Sequence, residues 1–218
     1  MSPFSKAYQR QRKFQSILSE AAGLFNWQGS RATTLTDIAS SMKLTKTCVY
    51  YYVKTKEDLI YQCYVSSCDM WLAQAQQATA LEANGLEKIV AMVRGHFEQY
   101  VKALNGVAPH FAMLTEISSL DDVHAADIKA RWREVFGLCE KMVNQGIEEG
   151  VIEKLDPAVI CTGIFAIPQW FPVWLKRAHA ANPEPVITAV LDILVNGLSQ
   201  QCHEFTNIEF PEFNNCSL

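Results

Sequence analysis

The side chains best placed for chemistry lie between Thr34 and Lys56, and the chemistry they suit is noncovalent. Thr45, Lys46 and Thr47 fall at the cap and first turn of a short helix, where free backbone amides already favour phosphate oxygens. The first residues of such a helix are the ones that reach base edges when it enters a DNA major groove. Tyr50 and Tyr51 follow, with rings suited to sugar or thymine-methyl contact and hydroxyls suited to phosphate. Lys43 and Lys56 flank the group as phosphate-directed cations, and Thr34 and Thr36 offer hydroxyls from a preceding helix. A run of three aromatic residues must turn one ring inward, and Tyr52 is the one expected to do so. No nucleophile elbow, phosphate loop, His-x-x-x-His pair or carboxylate pair on a shared face occurs, so an enzyme, a cofactor and a metal are not expected. Asp121-Asp122-Val123-His124 reads as a helix cap with an exposed histidine rather than as a metal cluster.

The elements that must carry these residues are nearly all helices. Phe14, Ile17, Leu18, Ala21, Leu24 and Phe25 recur at helical spacing, which predicts a first helix over about 7–25. Gly29 supplies a positive φ for the connection. Thr34 with Asp37 forms a capping box for a second helix ending near Met42, and Thr45 caps a third over about 46–52. Thr55 with Asp58 repeats the capping spacing and opens a long fourth helix over about 56–83. Asn84-Gly85 breaks it, and a fifth follows over 86–104. A short helix fits 110–118, and Asp121 or Asp122 caps a long one that ends at Glu149, with Gly150 at the position after its C-cap. Asp156-Pro157 opens an eighth helix that Pro168 and Pro172 should kink or end, and Asn182-Pro183-Glu184-Pro185 opens a ninth, to about Gln200. The expected fold is all-α with about nine helices. It divides into a helix-turn-helix unit over 7–60 (reading motif 34–53), a helical unit over 61–200 and an irregular tail over 201–218.

Charge follows the same division. Residues 1–61 hold nine Lys and Arg against four Asp and Glu, whereas residues 62–218 hold ten against nineteen. A chain of formal charge −4 thus keeps a basic end, as expected where one end meets a polyanion. No apolar run is long enough to span a membrane and no secretory leader is evident, which predicts a cytoplasmic protein. Seven cysteines without a Cys-x-x-Cys pair read as buried or incidental thiols in a reducing compartment.

Phe25, Gly29, Thr33-Thr34, Asp37-Ile38-Ala39, Thr45-Lys46, Tyr50-Tyr51-Tyr52, Lys54 and Lys56-Glu57-Asp58-Leu59 stand in the register of the TetR family of transcriptional regulators, which the chain resembles over about fifty N-terminal residues. The resemblance implies a repressor that binds a double-stranded, palindromic DNA operator as a homodimer and is released by a small-molecule effector. Two positions depart from that pattern: Lys43 stands in the turn and Thr47 after Lys46, where the family often has glycine. If the turn is left-handed at Lys43, the side chain costs roughly 1–2 kcal/mol. These departures motivate a second reading, a small-molecule-binding protein of the same fold that no longer reads DNA.

In such regulators helices four to seven enclose the effector and the last two form the dimer interface. The large residues on the corresponding stretches are Trp71, Met92, His96, Phe97, Tyr100, Phe111, Met113, Trp132 and Phe136, suited to a largely apolar pocket in which His96 or Arg94 would orient the ligand. Ile160, Ile164, Trp170 and Trp174, with Val190 and Leu194 on the last helix, belong to helices apolar on more than one stripe. A second subunit is expected to cover the face that the chain itself leaves bare. The run from Ile167 to Trp174 faintly resembles the Trp-rich eighth helix of relatives that govern lipid or sterol breakdown, which hints at an acyl or lipid-derived effector.

Overall fold

The computed structural model describes residues 5–178 and 182–196, apart from the side chains at 172–174 and 176–178. The side chain of Trp174 and the tail over 201–218 therefore lie outside the described residues. Eight α-helices and one 3₁₀ turn make up the described chain: α1 Lys6–Gln28, α2 Leu35–Ser41, α3 Lys46–Tyr50, α4 Lys56–Thr79, α5 Gly85–Leu104, the turn Ile117–Ser119, α6 Asp122–Glu148, α7 Pro157–Ala178 and α8 Glu184–Asn196.

Local chemistry sets most of the boundaries. Thr34, Thr45, Thr55, Asn84 and Asp121 each accept a hydrogen bond from the backbone amide three residues on, which starts α2 to α6. Gly29 and Gly150 end α1 and α6 with φ of 86° and 72°, a region open to glycine without steric cost.

The predicted short helix over 110–118 is not formed. Residues 110–116 run instead as a non-helical strap, because most of their polar groups bond to neighbouring helices and only Thr115 N bonds within the strap, to Met113 O (2.9 Å). His110 N donates to Ser19 Oγ (2.9 Å) and Ala112 N to Ser67 Oγ (2.9 Å). Asn26 Nδ2 donates to Phe111 O (2.7 Å) while its Oδ1 accepts from Met113 N (2.9 Å). Nor do the two prolines end α7, which continues through Pro168 and Pro172 to Ala178. An interior proline costs ~3 kcal/mol. Burial of Ile164, Phe165 and Phe171 along the same helix is the compensating gain.

Two apolar cores result. The first joins Ile17, Leu18, Ile38, Val49 and Leu59 of α1 to α4 with Ala112, Leu120 and Ile128. The second joins Trp71, Met92, Phe97, Val135, Met142, Phe171 and Ile187 of α4 to α8. Helix α4 belongs to both, through Leu59 to Cys68 at one end and Trp71 to Ala78 at the other. Cys63, Cys68, Cys139 and Cys161 are buried free thiols, and burial pushes the Cys63 thiol up.

The turn from α2 to α3 holds Lys43 at φ 54°. Leu44 N donates to Ala39 O (2.8 Å) and Lys43 N to Ser40 O (3.0 Å), the paired bonds of a Schellman cap. The left-handed residue of that motif is usually glycine, so Lys43→Gly should stabilise the protein by about 1 kcal/mol. For a chain of this length that raises the melting temperature by about 2–4 °C. An unchanged or lowered midpoint would show that the lysine side chain compensates its own strain.

Candidate nucleic-acid interface

The candidate surface begins with Val49, fully buried on α3, which pins one side of that helix against the first core. Lys46, Thr47, Tyr50 and Tyr51 consequently face outward, with Tyr50 46% and Tyr51 65% exposed. The Lys46 ammonium lies over the Tyr50 ring (5.5 Å), which holds cation and phenol on one patch. Tyr52 turns inward as expected, half-buried and stacked on Phe14 of α1 at 6.2 Å. Its ring also meets Tyr51 edge-on at 5.2 Å, so the buried ring props the exposed one.

Helix α1 adds a cation that the sequence reading did not place in the site. The Arg10 guanidinium sits 5.2 Å over the Tyr51 ring, bringing the basic start of α1 to the reading surface. The signal was present in the charge excess of the first residues, but sequence gives no sign of which one reaches the tyrosine.

The hydroxyl of Thr34 is committed to its cap: it donates to Asp37 Oδ2 (2.7 Å) and accepts from Asp37 N (3.1 Å). The Asp37 carboxyl is held below the usual carboxylate range by that hydroxyl and by the Thr34 amide. Thr45 is spent similarly on Cys48 N (3.3 Å) but stays exposed, as do Thr36 and Lys43. Lys56 is half-buried, and its ammonium donates to Arg31 O (3.3 Å), which fixes the side chain beside the approach to α2.

The residues expected to line a pocket are packed on one another. Trp71, Met92, His96, Phe97, Tyr100 and Phe111 are buried, with Trp132 and Phe136 against them. His96 is stacked 3.9 Å from Trp71 and 4.7 Å from Phe111, and neither ring nitrogen has a partner. Burial lowers its pKa to about 3, so the imidazole is neutral. Arg94 pairs with Glu184 of α8 (2.7 Å) rather than facing a ligand. A cavity of about 370 Å³ lies elsewhere, between the end of α1, the strap and α7, and of the expected lining it includes only Met113.

The dimer residues also divide. Ile164 and Val190 are covered by the chain's own core, Ile160 and Leu194 are partly covered, and Trp170 is 59% exposed. On α7 the bare face is Val159, Gly163, Ala166 and Trp170, and on α8 it includes Ala189 and Ile193. A helix apolar on several sides does not announce which stripe its own chain will cover.

Asp121 and His124 do form a cap, with His124 N donating to Asp121 Oδ1 (2.8 Å). Glu57 joins them by accepting from Asp121 N (2.8 Å), and ligand atoms of all three lie within 4.8 Å of one another. Each has a structural task, since His124 also stacks on Tyr61 at 4.0 Å and the pair ties α4 to α6. No helix among the described residues is long and apolar enough to cross a membrane.

Comparison with known proteins agrees with this geometry. The model of bacterial regulatory proteins of the tetR family matches residues 17–63, and that of the tetracyclin repressor-like C-terminal domain matches residues 82–198. The transcriptional repressor KstR2 of Mycolicibacterium smegmatis is 23% identical over 202 residues, covering 92% of this chain and 97% of that protein. AibR, solved in complex with isovaleryl coenzyme A and operator DNA, superposes with a TM-score of 0.67 at 22% identity, covering 84% of this chain and 98% of AibR. FadR from Bacillus subtilis, solved with stearoyl-CoA, gives 0.63 at 18% identity, covering 85% and 100%. A three-helix head that presents α3 at its surface, a helical body joined to it through α4, the strap and α6, and family matches over both parts lead to one conclusion: this chain is a member of the TetR family of transcriptional regulators.

Proposed function

We propose that the protein is a ligand-responsive repressor that binds a palindromic operator as a two-fold dimer and leaves it when a small, largely hydrophobic effector binds. The observation that carries this reading is the outward patch of Lys46, Thr47, Tyr50 and Tyr51 over a buried Val49, with Arg10 beside it. The patch joins amide-rich helix start, cations and phenols, the set that positions on phosphates and reads base edges. The same patch speaks against a member of the fold that has lost DNA recognition. Residues 7–60 would form the reading head and residues 61–200 the effector and dimerisation body. Relatives solved with isovaleryl coenzyme A and stearoyl-CoA favour an acyl or lipid-derived effector. A regulator that reads a bacterial genome works in the cytoplasm.

Dimerisation would bury the bare faces of α7 and α8 as a four-helix bundle and set two reading helices about 34–36 Å, or a multiple of that, apart. A fragment from upstream of the protein's own gene should be retarded in a mobility-shift assay at low salt. The double substitution Ala166→Arg and Ile193→Arg should give a folded monomer by light scattering, with operator affinity lowered at least about a hundredfold because each head then binds a half-site alone. A folded dimer that retards no upstream fragment would sink the repressor reading.

A further inference from the structure

The strap is not equally tight along its length. At its start the fit is close: a Cβ on Gly23 of α1 would meet the His110 ring at 3.2 Å, and Phe111 and Ala112 are buried. From Met113 to Glu116 the strap lines a partly open cavity of about 370 Å³, a volume within the range of small-molecule sites. Phe25, Met113, Leu114 and Trp170 supply its apolar lining. At the polar end the Ser30 hydroxyl donates to the Glu116 carboxylate, and Glu116 N donates to Tyr64 Oη (3.1 Å). Glu116 is the one charged side chain among the lining residues.

Those facts restrict the occupant. Apolar walls select an apolar body. A carboxylate accepts hydrogen bonds and donates none, so it favours a hydroxyl or an ammonium and repels a second anion. We infer that this cavity binds an amphiphile with an apolar chain and a neutral or cationic hydrogen-bond-donating head, the head being selected by Glu116. The inference rests on the ligand-responsive reading and narrows its effector to a lipid-derived amphiphile without an anionic head, which excludes an acyl-coenzyme A at this site. The lining joins Phe25 of α1, Tyr64 of α4, the strap and Trp170 of α7, so an occupant bears on how the N-terminal head and the body are held together. The chemistry differs from that of a free acid: a carboxylate-headed chain of the same length is the wrong ligand at this end.

Three probes with matched chains test it: octylamine, 1-octanol and octanoate. Each is titrated into the full-length protein without DNA, and tryptophan emission is recorded for the wild type and for Trp170→Phe. Octylamine and octanol should bind, octanoate at least tenfold more weakly, and Trp170→Phe should remove the signal. Glu116→Gln should bring octylamine and octanoate within about threefold of each other. Leu114→Trp, which fills the cavity, should abolish binding of all three by calorimetry, and it serves as the test if Glu116→Gln fails to fold. Octanoate binding as tightly as octylamine, a Glu116→Gln variant with the order unchanged, or undiminished binding to Leu114→Trp would each overturn the site. The same probes are then added to the operator complex. Octylamine that binds at Glu116 without releasing operator supports the site and overturns its role as the place where the effector acts. Release by a ligand indifferent to Glu116→Gln and Leu114→Trp supports the repressor reading and overturns the site.

Discussion

Replacing Lys46 and Lys56 by alanine together should lower operator affinity about a thousandfold. A dimer carries both residues twice, so four phosphate contacts are lost at about 1 kcal/mol each, and each 1.4 kcal/mol is a factor of ten. The sharper signature is the salt dependence. Each phosphate contact contributes about 0.9 to the slope of log affinity against log salt, so the slope should fall by about 3.6. The loss should be alike on operator and unrelated DNA, because phosphate contacts carry no sequence information. Thr47→Ala, by contrast, should alter the ranking of operator variants. Anisotropy titrations between 50 and 200 mM salt measure both quantities. Because the Lys56 ammonium also bonds to Arg31 O, a melting curve accompanies the double variant, whereas Lys46 has its ammonium over the Tyr50 ring and no comparable structural bond. A weakened complex with an unchanged slope would move the phosphate contacts to other residues.

Gly85→Ala should be the most damaging of the glycine-to-alanine changes among the described residues. A Cβ there would stand 2.2 Å from Met142 O and 2.3 Å from Gly146 N. These are backbone atoms of α6, so no rotamer change relieves the contact, and the start of α5 must be levered away. Overpacking of this kind costs typically 1–3 kcal/mol and occasionally more, and a rigid backbone neighbour places Gly85 at about 3 kcal/mol. The melting temperature should fall by roughly 10 °C at 2–4 °C per kcal/mol. The start of α5 is also held by Gly85 N donating to Glu149 Oε2 (2.8 Å) and Lys88 Nζ donating to Gln145 Oε1 (2.9 Å), so those bonds lengthen with it. Gly95→Ala and Gly137→Ala are the controls. Nothing lies within 4 Å of a Cβ at either position, and both are inside helices, so each should raise stability by about 0.5–1 kcal/mol. Equal effects at all three glycines would contradict the close approach of α5 and α6.

Those three glycines also mark how far sequence can be read. Gly85 is legible as a break between two helices, and the break is there, but its contact with α6 is a property of tertiary packing and leaves no local trace. Caps behave in the opposite way. Thr34 with Asp37, Thr45, Thr55 and Asp121 act on amides three residues away, so their spacing in the chain is their geometry in the fold. The inward turn of Tyr52 and the left-handed Lys43 were legible for the same local reason. The strap was not, because its hydrogen bonds go to Ser19, Asn26 and Ser67, which lie 45 to 91 residues away in sequence. The same limit applies to the expected pocket: large apolar residues at helical spacing state that something is buried, but whether they enclose a ligand or one another depends on helices that arrive from elsewhere.

Helix α4 gives a final quantity. Its 24 residues make a rod of about 36 Å, packed into the body at one end and into the reading head at the other. A rod of that length turned by about 5° about its far end displaces its near end by about 3 Å, the full length of an N–H···O bond. Two such arms in a dimer double the error in the distance between reading heads. Operator occupancy can therefore be governed by an angular change too small to disturb any side-chain packing in the core, and an instrument that measures angle between the arms will see the switch before one that measures their internal structure.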